Sequence, residues 1–302
     1  MSSIIEVRGL TKSFNEITAV DNLSFTIGER GIYGFLGQNG AGKSTTIRML
    51  LSLIRPSGGN IKIFGYDLHT HRKQILQRVG AIIEKPDLYK YLTAVENLNF
   101  FAAMSGLKLD RKTLIEKLDK VGLADRADSK VKTYSQGMKQ RLGIAVALVH
   151  DPDLIILDEP MNGLDPQGIA DVRNLISHLS KDLGKTVFIS SHLLSEMEQV
   201  ADSLVIIHKG KKIAEGKMEE LLDPGQVRVE IETRSAIELE AQLKQTTWGD
   251  KIVAAEGEIL VVQLKRDEMP LLIQKMGELK SEVYSIQKKN SLEDYFLSLT
   301  AK

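Results

Sequence analysis

The sequence predicts an α/β fold on a parallel sheet, with a small α+β domain behind it. Three observations carry that reading. Short apolar strands alternate with helical stretches through the first 222 residues, a pattern that right-handed crossovers turn into a parallel sheet. One such strand, Gly31 to Leu36, runs through a glycine-rich turn into a helix. Another, Leu154 to Leu157, has no polar break and reads as buried on both faces. A length of 302 residues suits about two domains.

Taken in order, Ile4 to Val7 and Leu23 to Ile27 are β-rich runs separated by polar turns. Gly31 to Leu36 follows as a buried strand, and Thr46 to Leu53 as a helix. Gly58-Gly59-Asn60 is read as a turn before a strand from Ile61 to Phe64, with Val79 to Ile83 as another strand. From Thr93 to about Val149 the periodicity is helical, so residues 85–150 read as an inserted helical subdomain. Leu154 to Leu157, Thr186 to Ser190 and Leu204 to Ile207 return to short strands with helices between them. Asp223-Pro224-Gly225 marks the predicted boundary between a domain over 1–222 and one over 223–302. In the second, VRVEIE, KIVAA, ILVVQL and VYSIQKK read as strands. Helices near 236–245 and 268–279 and a last one at SLEDYFLSLT complete it. The order β-α-β-β-α-β is that of a small ferredoxin-like unit. Leu292, Tyr295, Phe296 and Leu299 form an apolar stripe suited to core or dimer packing.

Composition narrows the function. Forty basic and forty acidic residues balance, which argues against a chain-wide basic face for nucleic acid. There is no cysteine, so disulfides, Cys-ligated zinc and thiol catalysis are excluded. No apolar run approaches the roughly 20 residues needed to span a bilayer, and the N-terminus lacks a signal-peptide core. A soluble chain, or one held at a membrane by a partner, is expected.

The chemistry concentrates at two places. Gly37-Gln38-Asn39-Gly40-Ala41-Gly42-Lys43-Ser44-Thr45 fits G-x-x-x-x-G-K-[ST], between a buried strand and a helix. Glycines let backbone N–H groups converge on an anion, and the helix N-terminus adds partial positive charge. Lys43 is placed to reach β- and γ-phosphates and Ser44 to bind Mg²⁺. The second place is Asp158-Glu159-Pro160, at the end of an apolar strand where α/β sheets hold their ligands. Adjacent carboxylates there repel each other without a cation, so Asp158 is assigned to the metal and Glu159 to polarising a water.

These residues, with others in a fixed order, resemble the nucleotide-binding subunits of ABC transporters across most of 1–222. Tyr134-Ser135-Gln136-Gly137-Met138 sits at the signature position, Asn162-Gly163-Leu164-Asp165 at the D-loop, and His192 at the switch histidine. Phe14 stands where that family stacks the adenine. The resemblance implies a P-loop NTPase fold of ABC type, with N-terminal antiparallel strands, a parallel core sheet and the helical insertion. It also implies ATP with Mg²⁺ as the bound species and Ser135, Gly137 and Asp165 acting across a head-to-tail dimer. On the residues alone, Ser135 and Asp165 read equally as helix caps, Phe14 as a core aromatic and His192 as a structural or surface histidine.

Two departures stand out. Tyr134, Gln136 and Met138 replace the usual residues of LSGGQ, while Ser135 and Gly137 remain. Glu84 replaces the family's usual Gln; it can ligate Mg²⁺, or it is a solvated loop acid. With Lys85-Pro86-Asp87-Leu88-Tyr89 it is similar to exporter subunits for peptide antibiotics and bacitracin-type immunity, and Glu84→Gln is expected to keep ATPase activity. Tyr89, Tyr91 and Leu92 follow. They pack the helical subdomain or, as the resemblance implies, meet a membrane subunit.

The expected function is ATP hydrolysis energising a separate membrane permease of an efflux system. The chain would act as a homodimer or with a paired nucleotide-binding subunit, at the cytoplasmic face of the membrane. Its catalytic candidates are Glu159, His192 and Lys43. Two alternatives stay open: an ABC ATPase acting on nucleic acid or ribosomes, and an ATP-gated dimerisation module with little turnover.

Overall fold

The computed structural model describes residues 3–222, 227–279, 281–288 and 292–300. The predicted boundary at Asp223-Pro224-Gly225 lies outside the described residues, as do Lys289 and Ser291 at the ends of the last strand and helix. The chain divides into two units, Met1–Lys217 and Met218–Lys302.

The first unit opens with β1 (Ser3–Phe14) and β2 (Ile17–Gly28), an antiparallel pair joined at Asn15, where φ is 50°. Leu23, Phe25 and Ile27 are buried between exposed Ser24 and Thr26, the period-two signature of a strand with one covered face. Then come β3 (Gly31–Leu36), α1 (Lys43–Leu50), β4 (Gly58–Ile63), β5 (Tyr66–Asp67), α2 (Arg72–Leu76) and β6 (Val79–Ile82). The helical stretch holds α3 (Ala94–Met104), α4 (Arg111–Asp119) and α5 (Gln136–Ala147). Next are β7 (Leu154–Asp158), α6 (Pro166–Lys181), β8 (Thr186–Ser191), α7 (Leu194–Val200), β9 (Ser203–His208) and β10 (Lys211–Lys217).

Two sheets result. The antiparallel one runs β2-β1-β4-β5; the core sheet runs β10-β9-β3-β8-β7-β6. Every pairing in the core sheet is parallel except the edge strand β10 on β9. All residues of β7 and β8 are buried, as strands covered on both faces should be. Phe25 of the antiparallel sheet meets Phe35 and Phe188 of the core sheet, with ring centroids 5.5 and 6.0 Å away, and so joins the two layers.

Gly58-Gly59-Asn60 is not a turn. It belongs to β4, where Gly58 pairs with Thr11 and Asn60 with Arg8 of β1. Gly59 has φ +86°, and a Cβ there would stand 2.4 Å from the Gly9 carbonyl oxygen, so the glycine permits close strand approach at an irregularity in the register. The turn comes later, at Phe64-Gly65, both at positive φ. β10, KKIAEGK, is not expected from the sequence and carries no apolar run because it is a charged edge strand.

The second unit contains α8 (Met218–Leu222), β11 (Val227–Thr233), α9 (Ala236–Leu243), β12 (Ile252–Glu256), β13 (Ile259–Leu264), α10 (Met269–Glu278), β14 (Val283–Lys288) and α11 (Leu292–Thr300). Its sheet runs β12-β13-β11-β14, antiparallel throughout. Val227, Val229 and Ile231 of β11 join Leu260, Val262 and Leu264 of β13 in its core. In α11, Leu292 and Phe296 are buried, while Tyr295 and Leu299 are half-buried. Among the described residues no helix is long and apolar enough to cross a membrane.

Candidate nucleotide and metal site

Parallel register sets the site. Leu36 at the end of β3 pairs with Ser191, and Asp158 at the end of β7 pairs with Ser190. Three strand ends therefore open on one crevice, as open α/β sheets require.

The glycine-rich loop leaves β3 there and feeds directly into α1. Gly42 caps the helix at φ 104°, and a Cβ would stand 2.6 Å from the Ala19 carbonyl oxygen, so only glycine fits. The first N–H groups of α1 have no partner within the helix, and the helix dipole adds to them. Lys43 folds back over the loop. Its ammonium donates to the carbonyls of Gly37 at 2.7 Å and Gln38 at 3.3 Å and stands 3.1 Å from Glu159 Oε1.

Opposite the loop, Asp158 is fully buried. Ser190 Oγ donates to its Oδ1 at 2.5 Å and itself accepts from the Glu159 N–H at 3.0 Å. Among the described residues Asp158 Oδ2 has no hydrogen-bond partner. A buried carboxylate oxygen left so is costly, and a cation removes the cost. Glu159 adopts φ 50°, an uncommon conformation for a non-glycine residue. His192 Nδ1 donates to its Oε2 at 2.8 Å. Glu159 thus links the two sides of the crevice, through an ion pair to Lys43 and a hydrogen bond from His192.

A cavity of about 600 Å³ adjoins these residues, walled by Ser44, Glu84, Gln136, Gln140, Asp158 and Glu159 among others. The oxygen atoms of Ser44 and Asp158 in its lining are of the kind that suits a hard divalent cation. Glu84 also sits at positive φ, 59°, but its carboxylate pairs with Arg48 at 2.5 Å.

Gln136 of the signature stretch and Asn162 and Gly163 of the D-loop stretch belong to that lining, while Ser135, Gly137, Asp165 and Phe14 do not. Ser135 caps α5, accepting from the Met138 N–H at 3.2 Å, and Gly137 lies in the same first turn. Asp165 caps α6, accepting from the Gly168 N–H at 3.1 Å ahead of Pro166. Phe14 ends β1 with 46% of its surface exposed and the Lys12 ammonium 4.8 Å from its ring centroid, so it is not a core aromatic. Burial raises the Tyr134 phenol above its usual pKa, and its hydroxyl donates to the Arg126 carbonyl. Sequence reasoning missed Ser190, Arg48 and Gln140. Ser190 lies in β8 at its last pair with β7, two residues before His192, but only the sheet register brings it to Asp158.

The family described as ABC transporter matches residues 20–162. A protein of Bacillus subtilis (strain 168), the uncharacterized ABC transporter ATP-binding protein YhcH, is 39% identical over 304 residues, covering 100% of this chain and 97% of its own length. The bacitracin transport ATP-binding protein BcrA of Bacillus licheniformis is 51% identical over 215 residues, 71% of this chain and 70% of its own. A solved structure of an ATP binding subunit of an ABC transporter shares 32% identity at a TM-score of 0.63, covering 72% of this chain and 92% of that one.

Proposed function

The chain belongs to the family of ABC transporter ATP-binding proteins and is an ABC-type ATPase, and from that premise we propose how its residues work and what they drive. Glu159, ion-paired to Lys43 and hydrogen-bonded to His192 beside a buried, half-satisfied Asp158, is the observation that carries the reading. ATP binds with its phosphates on the amides of the loop from Gly37 to Thr45. Lys43 exchanges its carbonyl and Glu159 partners for phosphate oxygens. Ser44 and Asp158, with Glu84 at the cavity wall, would hold Mg²⁺, which would supply positive charge to neutralise the phosphates. Release from Lys43 frees Glu159 Oε1 to accept a proton from water, while His192 keeps the carboxylate oriented through Oε2. A positioned base of this kind contributes about 10²–10⁴-fold in rate. Phe14, exposed at the strand end, offers a face for the adenine ring.

One chain supplies only part of the enclosure. Ser135 and Gly137 open a helix whose N-terminus suits an anion, yet neither lines the cavity of its own chain. In a head-to-tail dimer each copy lends them, with Asp165, to the other's nucleotide. Closing and reopening that dimer moves a separate membrane permease, and the chain works at the cytoplasmic face of the membrane through that partner. Tyr89 and Tyr91 are exposed, and Tyr89 packs edge-on against Phe100 at 4.7 Å, which gives such a partner an aromatic shelf. The identity with a bacitracin transport protein and the Glu84-Tyr89 segment support export of an antibiotic peptide or a similar compound.

Dimer closure is tested with Glu159→Gln, which keeps the binding surfaces and removes the base. With Mg²⁺ and ATP it is expected to elute as a dimer and without nucleotide as a monomer. A variant that stays monomeric with saturating ATP sinks the two-copy site.

A further inference from the structure

Two residues of the cavity wall each carry a buried atom, of opposite polarity, without a partner among the described residues. Asp158 Oδ2, an acceptor, comes from the core sheet. Gln140 Nε2, a donor, comes from α5 of the helical stretch, and Gln140 is only 5% exposed. A cation satisfies Asp158 and cannot satisfy an amide N–H. Gln140 needs an acceptor, and the cavity wall supplies one in Glu84.

Glu84 is poised to change partner. Its present pair with Arg48 is solvent-washed, with the two side chains 42% and 63% exposed. Exposed pairs of this kind contribute little and exchange readily. The loop and α5 are also in tight register. A Cβ on Gly143, three residues beyond Gln140, would stand 2.5 Å from both Cβ and Cγ of Pro86, two residues beyond Glu84. The glycine therefore lets α5 and the loop pack in direct contact at this point.

We propose that Gln140 is a positioning residue of the metal site, its amide donating to the Glu84 carboxylate and holding it turned into the cavity for a divalent cation. The inference rests on the nucleotide and metal reading of this site. It also gives the helical stretch a direct hold on the metal site, through the helix that Ser135 caps.

The test substitutes Gln140→Met, which keeps length and volume and removes the donor. Mn²⁺ affinity is measured by electron paramagnetic resonance on the full chain with a non-hydrolysable ATP analogue, beside a melting curve in EDTA. A hydrogen bond to a charged group predicts a loss of about tenfold or more in Mn²⁺ affinity. Nucleotide affinity in EDTA stays unchanged, and so does the melting temperature or it rises, since an unpartnered buried donor has gone. In a Glu84→Ala background the same substitution costs nothing further. Unchanged Mn²⁺ affinity overturns the inference while leaving the site intact, and so does an equal loss in the Glu84→Ala background. A parent chain that binds no Mn²⁺ with the analogue overturns the reading of the site itself, and the inference with it.

Discussion

Ser190→Ala isolates the contact that holds the acidic strand end in place. The hydroxyl donates to Asp158 Oδ1 at 2.5 Å and accepts from the Glu159 N–H at 3.0 Å, in a residue with no exposed surface. Alanine leaves the Glu159 N–H with the Ser190 carbonyl, 3.2 Å away, so that donor is still served. Asp158 is not: both of its oxygens would then lack a side-chain donor. A hydrogen bond to a charged group contributes about 1.5–3 kcal/mol. At about 2–4 °C per kcal/mol for a unit of this size, the variant should melt about 3–12 °C lower in EDTA. Differential scanning fluorimetry with and without Mg²⁺ and an ATP analogue reads the effect. The gap between variant and parent should narrow when the cation serves Asp158. A shift under about 1 °C in EDTA, against that expected range, would refute the claim that Ser190 holds this carboxylate in place.

Other consequences follow from packing and charge. Gly143→Ala forces a Cβ within 2.5 Å of the Pro86 ring. Overpacking of about 1–3 kcal/mol should outweigh the ~1 kcal/mol that alanine gains in a helix, so the melting temperature falls; a rise would mean that the Glu84-Pro86 segment yields freely. Burial lowers the His150 pKa below its usual value, while its Nε2 donates to the Val79 carbonyl at 3.2 Å; Lys117 lowers it further and Asp151 opposes. A depressed histidine favours the fold when neutral. Its share of stability is full above the usual histidine value of about 6.5 and is lost as pH falls below it. His150→Phe should therefore shrink the drop in melting temperature between neutral pH and pH about 5.5. A drop that grows would reverse the sign and refute the assignment.

How far the sequence reaches depends on how local each feature is. The loop from Gly37 to Thr45 is legible because strand, glycines, lysine and helix lie within one short stretch. The Asp158-Glu159 pair is legible for the same reason. Ser190, 32 residues from Asp158, is not, since only the β7–β8 register makes them neighbours. Gly58-Gly59 misleads because glycine serves a tight turn and a close strand crossing equally well. Caps at Ser135 and Asp165 are readable, but a cap and an anion site share the same residues, so their wider role is invisible in one chain. β10 escapes notice because edge strands avoid the apolar pattern that announces a strand.

Phosphate release from purified chain, with and without Mg²⁺ and alongside Glu159→Gln, tests the central claim most directly. The account predicts Mg²⁺-dependent turnover in the parent that falls about 10²-fold or more in the variant, with ATP still bound by both. Equal rates in the two proteins, or turnover indifferent to Mg²⁺, would contradict it.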